Sequence, residues 1–208
     1  MLKLQIGAGL DGPPGWLNLD ASPVLRMQRL PVVGGLLRRL VPPEFSPGVA
    51  YGDVTRGLSL ADGTAAIVYT SHMLEHLSLR DFDVALAEIH RVLAPDGLFR
   101  SVLPDLEFEA RRYLASSAPD RATDFMRTTT LGVEQRERGL LPALRGWLGN
   151  STHLWMWDFV SASAHLARAG FVDIRRASLG DSAEPAFVEV ENPVRWQDCL
   201  GFECRKPA

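Results

Sequence analysis

The stretch KLQIGAG at residues 3–9, followed by WLNLD at residues 16–20, decides the fold. An apolar strand that runs directly into glycines is typical of the first turn of a parallel α/β sheet, because backbone without side chains can approach a ligand closely there. Asp20 ends the second strand, where its carboxylate could accept hydrogen bonds from both hydroxyls of a ribose. Gly7, Gly9 and Asp20 therefore predict a nucleotide-binding edge of the sheet.

The spacing within this motif argues against a dinucleotide. Gly12 completes a nominal G-x-G-x-x-G pattern, but Gly9 and Asp20 are separated by only about half of the roughly 20 residues typical of a dinucleotide fingerprint. Pro13 and Pro14 also leave little room for the long helix whose N-terminus a pyrophosphate prefers. An NAD-dependent oxidoreductase is therefore a disfavoured alternative.

Short apolar runs alternate with helical patterns along the chain. The candidate strands are residues 3–6, 17–20, 49–51, 65–70, 98–103, 171–175 and 200–204. Helices are predicted from the capping residue Ser78 to a stop at residues 95–97, and over residues 106–115 and 159–169. This alternation predicts a single α/β domain over residues 1–208 with a parallel sheet. Two long stretches, residues 23–47 and 128–152, are predicted to be cap or lid inserts.

Composition excludes several classes of protein. Of the 208 residues, 46% are hydrophobic and 23% charged, and a net charge of −3 gives no footprint for nucleic acid. Two cysteines, Cys199 and Cys204, are too few for a disulfide scaffold and fit a reducing cytoplasm. The start does not resemble a signal peptide, and no apolar run predicts a membrane span. Residues 24–41 have a weak amphipathic character, for which a helical cap is favoured over membrane contact.

Two further segments follow predicted strands at the same edge. Asp53 and Val54 end the third strand, where Asp53 could receive an adenine amino group or merely cap the next turn. TSHMLEH at residues 70–76 ends the fourth strand and places Ser71 and His72 at the carboxyl edge. The sequence therefore gathers polar side chains from the second, third and fourth strands at one place.

These motifs together resemble a known family. MLEH at residues 73–76 and EIHRVLAPDG at residues 88–97 are similar to the V-L-E-H and E-I-x-R-V-L-K-P-G-G patterns of class I S-adenosylmethionine-dependent methyltransferases of the methyltransferase type 11 kind. GWLNLD at residues 15–20 and VLPDLE at residues 102–107 resemble a compact subgroup of them. The resemblance covers roughly residues 2–107 well, and the C-terminal part more loosely. Ala8, Ala94 and Asp96 depart from the usual residues without removing a cofactor contact.

The resemblance implies a fold, a cofactor and a set of contacts. It implies a Rossmann-like fold, with a mostly parallel seven-stranded sheet, an antiparallel last strand and helical inserts. It implies S-adenosylmethionine as the cofactor, with Ser71, His72 and Leu74 beside its methionine half. The residues expected to bind the cofactor are Gly7, Ala8, Gly9, Asp20, Asp53, Val54, Ser71, His72 and Leu74.

The same motif also spells a zinc-protease pattern. Residues 72–76 read H-x-x-E-H, in which His72 and His76 on one helical face could bind zinc with Glu75 as the base. The motif begins at a strand end and lacks an evident third ligand. We therefore expect no metal site and no zinc hydrolase.

Methyl transfer to a hydroxyl needs a base, and histidine suits that role near neutral pH. His72 is the first candidate by position, and His153, in the segment expected to cover the substrate, is the other. Trp147, Trp155 and Trp157 could form an apolar or sugar-stacking wall, or simply pack a lid.

The favoured function is methyl transfer to a small molecule, with a hydroxyl of a sugar or secondary metabolite preferred. A catalytically inactive module that binds the cofactor or a partner is the main alternative, because fold and function are separable. No nucleic-acid partner is expected, and a homodimer is left open.

Overall fold

The computed structural model describes residues 1–10, 12–32, 34–36, 42–134 and 152–208. Its strands are β1 (Leu2–Ile6), β2 (Leu17–Asp20), β3 (Val49–Tyr51), β4 (Ala65–Ser71), β5 (Leu93–Pro104), β6 (Val172–Ala177) and β7 (Cys199–Arg205). These are the strands that the apolar runs predicted, with β5 extended at its start. The sequence pattern works because strands covered by helices on both faces are almost continuously apolar.

The seven strands form one sheet in the order β3-β2-β1-β4-β5-β7-β6. β1 is parallel to β2 and β4, β2 to β3, and β4 to β5, whereas β7 is antiparallel to both β5 and β6. The implied mostly parallel sheet with an antiparallel last strand is confirmed. The strand order reverses between β1 and β4, so a crevice is expected at their carboxyl ends.

The described helices are α1 (Pro23–Gln28), α2 (Leu79–Val92), α3 (Leu106–Ala115), α4 (Arg121–Thr128), α5 (Phe159–Arg168) and α6 (Pro193–Trp196). α2 begins as predicted, because the Ser78 hydroxyl accepts a hydrogen bond from the backbone N–H of Asp81 at 3.2 Å. It ends at Val92, and the chain continues directly into β5. Residues 95–97, which were predicted to end the helix, lie in a bulge of β5 between Leu93 and Leu98. Proline and glycine here shape a strand rather than a loop.

The first insert is better packed than its irregular sequence indicates. Val24 and Leu25 of α1 are buried together with Phe45 and Val49 in a small apolar cluster beside the sheet. Residues 33 and 37–41 of this insert and residues 135–151 of the second, including Trp147, lie outside the described residues. Within the described part of the chain, no helix is long and apolar enough to cross a membrane.

Arg100 of β5 is fully buried, a feature that the sequence did not reveal. Its guanidinium donates hydrogen bonds to Glu191 at 2.6 Å, Asp181 at 2.9 Å and Glu203 at 3.0 Å. It also lies 4.7 Å from the ring centre of Trp196 in α6. A buried charge is tolerated only when it is paired in this way, so Arg100 ties the C-terminal segment to the middle of the sheet.

Replacement of Arg100 by Met should destabilise the fold strongly. The variant would leave the buried carboxylate of Glu191 without its cation and Glu203 with Arg175 alone, which costs about 3–5 kcal/mol of the free energy of unfolding. Urea unfolding followed by circular dichroism measures this loss.

Arg111→Met is the matched control, because Arg111 pairs with Glu107 on the surface of α3 at 2.6 Å and its side chain is 78% exposed. An exposed pair of this kind contributes about 0.5 kcal/mol or less. Equal losses of stability in the two variants would contradict the structural role of Arg100.

Candidate active site

A cavity of about 630 Å³ lies at the carboxyl ends of β1 to β4, where the strand order reverses. Its volume falls in the range of about 300–1,000 Å³ that is usual for small-molecule sites. Its lining residues are Ile6, Gly7, Gly9, Asp20, Ala21, Ser22, Pro23, Gly52, Asp53, Val54, Thr55, Ser71, His72, Met73, His76, Leu77 and Arg195. The edge is the one that the sequence indicated, and seven of the nine residues expected to bind the cofactor line the cavity.

The glycine turn is held against the segment that follows β4. Gly7 has φ +72°, and a Cβ atom at this position would lie 2.6 Å from Cβ of Met73. The N–H groups of Gly7 and Ala8 both donate to the carbonyl of Leu19, at 2.9 and 3.0 Å. Gly9 also has a positive φ, and nothing described lies within 4 Å of its missing Cβ. The turn therefore presents bare backbone to the cavity.

Asp20 fastens the same turn from the end of β2. One carboxylate oxygen accepts from the N–H of Gly9 at 2.9 Å, and the other from the N–H of Ser22 at 2.8 Å. Burial raises the pKa of Asp20, and the two backbone hydrogen bonds oppose that shift. Each carboxylate oxygen can accept a further hydrogen bond, so Asp20 can hold the turn and bind hydroxyl groups of a ligand at once.

Asp53 has its own hydrogen-bond partners. One of its oxygens accepts from the N–H and the hydroxyl of Thr55, at 3.0 and 2.7 Å, and the other lies 3.2 Å from the guanidinium of Arg56. These contacts are those of a residue that caps the following turn. Asp53 and Val54 nevertheless line the cavity, with Val54 buried beneath it.

The end of β4 brings two polar side chains to the cavity. The hydroxyl of Ser71 is buried and has no hydrogen-bond partner among the residues that the structure describes. His72 has φ +49°, and its Nε2 lies 2.8 Å from the carbonyl oxygen of Arg195 in α6. Because a carbonyl only accepts, Nε2 carries the proton and Nδ1 has the lone pair. Burial lowers the pKa of His72.

A second polar cluster adjoins the cavity behind His72. Glu75 is fully buried, and burial raises its pKa to about 7. Its Oε1 lies 3.5 Å from Nδ1 of His72 and 3.9 Å from Nε2 of His153. The rings of His76 and His153 are 5.1 Å apart in an edge-on arrangement. Burial also lowers the pKa of His153.

Three of the predicted site residues do not line the cavity in the structure. Leu74 is fully buried in the main core, because the turn Leu74–His76 is a 3₁₀ helix that directs this side chain inward. Ala8 contacts the apolar cluster of the first insert rather than the cavity. His153 is absent from the cavity lining and contacts Glu75 and His76 instead. Neither Leu74 nor His153 is placed where the sequence analysis expected it.

The predicted tryptophan wall does not form from Trp157. Its ring is 1% exposed and stacks on Phe82 of α2 with 4.0 Å between ring centres, so it belongs to the core. Trp155 is partly exposed beside it.

Arg195 is the main cavity residue that the sequence analysis missed. It comes from α6, far along the chain, and its guanidinium donates to the carbonyl of Ser71 at 3.3 Å. Asn192 caps α6 by accepting from the N–H of Val194 at 3.0 Å, with Pro193 in the first turn. The Asn-Pro pair was a usable signal for this short helix, but nothing in the sequence indicated its place at the cavity.

Comparison with known proteins gives a family match and several similar folds. A sequence family described as "Methyltransferase domain" matches residues 4–100, which include β1 to β4, α2 and the first part of β5. No curated protein matches the sequence.

Solved structures of methyltransferases share the fold. A possible histamine N-methyltransferase from Thermotoga maritima has a TM-score of 0.54 and 15% identity, over 99% of this chain and 82% of that one. A putative methyltransferase in complex with the Haloferax volcanii activator Trm112 has a TM-score of 0.51 and 15% identity, over 100% of this chain and 83% of that one. PigF with S-adenosylhomocysteine is less similar, with a TM-score of 0.48 and 18% identity, over 99% of this chain but only 50% of the PigF chain.

Replacement of Gly7 by Ala should damage both stability and ligand binding. The added methyl would meet Met73, which costs about 1–3 kcal/mol as overpacking, in addition to the strain of a positive φ. Thermal unfolding measures the loss of stability, and calorimetry with S-adenosylhomocysteine measures the loss of affinity.

Gly180→Ala is the matched control, because Gly180 has nearly the same φ, +71°, and open space around its missing Cβ. Its loss of stability should be limited to the backbone strain of about 1–2 kcal/mol. If the two variants are equally stable and bind equally well, the close approach of Met73 is not a constraint.

Proposed function

We propose that this chain is a class I S-adenosylmethionine-dependent methyltransferase, as the match of residues 4–100 to a methyltransferase family indicates, and that it transfers the cofactor's methyl group to a hydroxyl oxygen of a small molecule. The observation that carries the proposal is Asp20, a partly buried carboxylate that lines the cavity and accepts a hydrogen bond from the N–H of Gly9 in the glycine turn. A sugar or a secondary metabolite is the class of acceptor that we favour. The chain spans about half the length of some of the similar solved proteins, so the proposed activity is that of the present chain alone.

The described residues fit the proposed cofactor. Asp20 can accept from the two ribose hydroxyls, and Gly7 and Gly9 offer backbone that no side chain obstructs. Asp53 and Val54 border the place for the adenine at the end of β3. The buried hydroxyl of Ser71 lacks a partner among the described residues, and a polar ligand in the cavity would supply one.

The chemistry then divides between cofactor and protein. When bound, S-adenosylmethionine would supply an electrophilic methyl carbon, with the neutral thioether S-adenosylhomocysteine as the leaving group. The chain positions the reactants and excludes water. Its own chemical contribution is a base that removes the proton of the acceptor hydroxyl.

His72 is the proposed base. Its Nε2–H donates to the Arg195 carbonyl at 2.8 Å, so the ring is held in one tautomer and Nδ1, which lies 3.5 Å from Oε1 of Glu75, keeps its lone pair. The acceptor hydroxyl must therefore reach Nδ1 beside Glu75 to give up its proton. His72 lines the cavity at the end of β4, beside the proposed methionine half of the cofactor. His153 lies behind it and is not retained as a base.

Asp20→Asn should weaken the binding of S-adenosylhomocysteine by roughly 10- to 100-fold, because hydrogen bonds to a charged acceptor contribute about 1.5–3 kcal/mol. Calorimetry on the purified protein measures the change. Asp62→Asn is the control, because Asp62 is an exposed acid that pairs with Arg91 and is absent from the cavity lining, so the affinity should change little. Equal affinities of Asp20→Asn and the wild type would contradict the assigned ribose contact.

His72→Ala should lower kcat by roughly 100- to 10,000-fold once an acceptor is found. The assay follows a labelled methyl group from S-adenosylmethionine into a panel of sugars, phenols and amines. His90→Ala is the control, since His90 lies on α2 and is absent from the cavity lining.

Two outcomes would overturn parts of this proposal. Labelling of amines alone would replace the hydroxyl acceptor, and an unchanged kcat in His72→Ala would remove the base assignment. If the protein binds S-adenosylmethionine but labels no acceptor at all, the inactive cofactor-binding alternative is favoured.

A further inference from the structure

Glu75, His76 and His153 bring three potential metal ligands together at the edge of the cavity. One ligand atom from each residue lies within 4.8 Å of the other two. Glu75 and His76 belong to the 3₁₀ turn after β4, whereas His153 comes from the segment that leads into α5. His76 also lines the cavity, so the cluster borders the proposed acceptor site.

The carboxylate of Glu75 lacks the partners that a buried charge needs. Its side chain is fully buried, and neither of its oxygens has a hydrogen-bond partner among the described residues. The nearest polar atoms are nitrogens of His72 and His153, at 3.5 and 3.9 Å. Buried carboxylates are normally paired or bound to a metal ion, so this group calls for a cation.

His76 is oriented as a metal-binding histidine usually is. Its Nδ1 lies 3.0 Å from the carbonyl oxygen of Thr152. Since the carbonyl only accepts, Nδ1 carries the proton and Nε2 keeps a lone pair. A ligating histidine typically donates its other N–H to such a carbonyl, which fixes both the tautomer and the direction of the ring.

The backbone holds the two halves of the cluster in place. The carbonyl oxygen of Glu75 accepts hydrogen bonds from the N–H groups of Leu154 and Trp155, at 2.8 and 3.2 Å. These two residues directly follow His153 in the sequence. The segment that carries His153 is therefore docked on the turn that carries the other two ligands, so the site is preorganised for an ion.

We propose that Glu75, His76 and His153 bind a divalent transition-metal cation at the edge of the cavity. Two imidazoles and one carboxylate suit such ions and leave coordination positions open, whereas Mg²⁺ prefers oxygen ligands. An open position would take an oxygen of the acceptor and orient it. That last role rests on the proposed function, whereas binding of the ion does not.

This site differs from the one that the H-x-x-E-H pattern indicated. That pattern pairs His72 with His76, but Nε2 of His72 faces the Arg195 carbonyl and the motif is not a regular helix. His153 takes the place of His72, and Glu75 becomes a ligand instead of a base. The expectation of no metal site is replaced by this proposal.

The test is a titration of the chelator-treated full chain with ZnCl₂ or MnCl₂ by calorimetry, with MgCl₂ for comparison. The wild type should bind one Zn²⁺ or Mn²⁺ per chain, and Mg²⁺ more weakly. Glu75→Gln and His153→Ala should each weaken the binding by at least about 10-fold. His165→Ala should bind the ion as the wild type does.

Binding of S-adenosylhomocysteine, measured on the same samples, shows that each variant is folded and separates the two proposals. Retained cofactor binding with no metal binding overturns the metal site alone, and the reverse overturns the proposed function alone. Loss of metal binding in His72→Ala but not in His153→Ala would overturn the assigned ligands.

X-ray absorption of the Zn²⁺-loaded wild type gives an answer even if the variants do not fold. Its spectrum should contain two imidazole nitrogens and no sulfur. Sulfur ligation would overturn the site, because none of the three proposed ligands contains sulfur. It would point instead to Cys199, whose Sγ lies 3.8 Å from Nε2 of His72.

Discussion

The close approach of Gly7 to Met73 is the constraint on which the rest of the site depends. β1 and β4 are neighbours in register, with Ile6 opposite Thr70, so the turns that follow them emerge side by side. The absence of a side chain at Gly7 lets these turns touch. The nucleotide-binding edge is thereby joined to the segment that carries His72, Glu75 and His76. A bulkier residue at Gly7 would separate the two halves of the site.

A second constraint supports the opposite wall of the cavity. Arg100 binds the C-terminal segment through Glu191, Asp181 and Glu203, and stacks near Trp196 of α6. Arg195 precedes Trp196, and its carbonyl oxygen fixes the ring of His72. A buried ion pair in the sheet therefore helps to hold a cavity residue in one orientation. The wall of the cavity depends on the C-terminal segment, although the family match ends at residue 100.

Local pattern predicted most of the fold. The strands and α2 could be recognised because strands buried on both faces are apolar throughout, and because Ser78 caps its helix. Gly7, Gly9 and Asp20 could be placed because a glycine turn and an acid after consecutive parallel strands must meet at one edge. The direction of β7 was implied only by the resemblance to a family.

Contacts between distant segments escaped the sequence analysis. Arg195 and His153 reach their positions through packing of residues that lie far from β4 in the chain, and no spacing rule predicts such contacts. Leu74 was misplaced because a 3₁₀ turn has a different side-chain direction from a regular helix. Asp53 carried two interpretations, and its contacts with Thr55 favour the capping one.

The most direct test of the central claim is calorimetric titration of the wild-type protein with S-adenosylmethionine, S-adenosylhomocysteine and NAD. The arrangement of Gly7, Gly9 and Asp20 predicts saturable binding of both sulfur compounds at one site per chain and none of NAD. Binding of NAD, or absence of binding by either sulfur compound up to millimolar concentrations, would contradict the account.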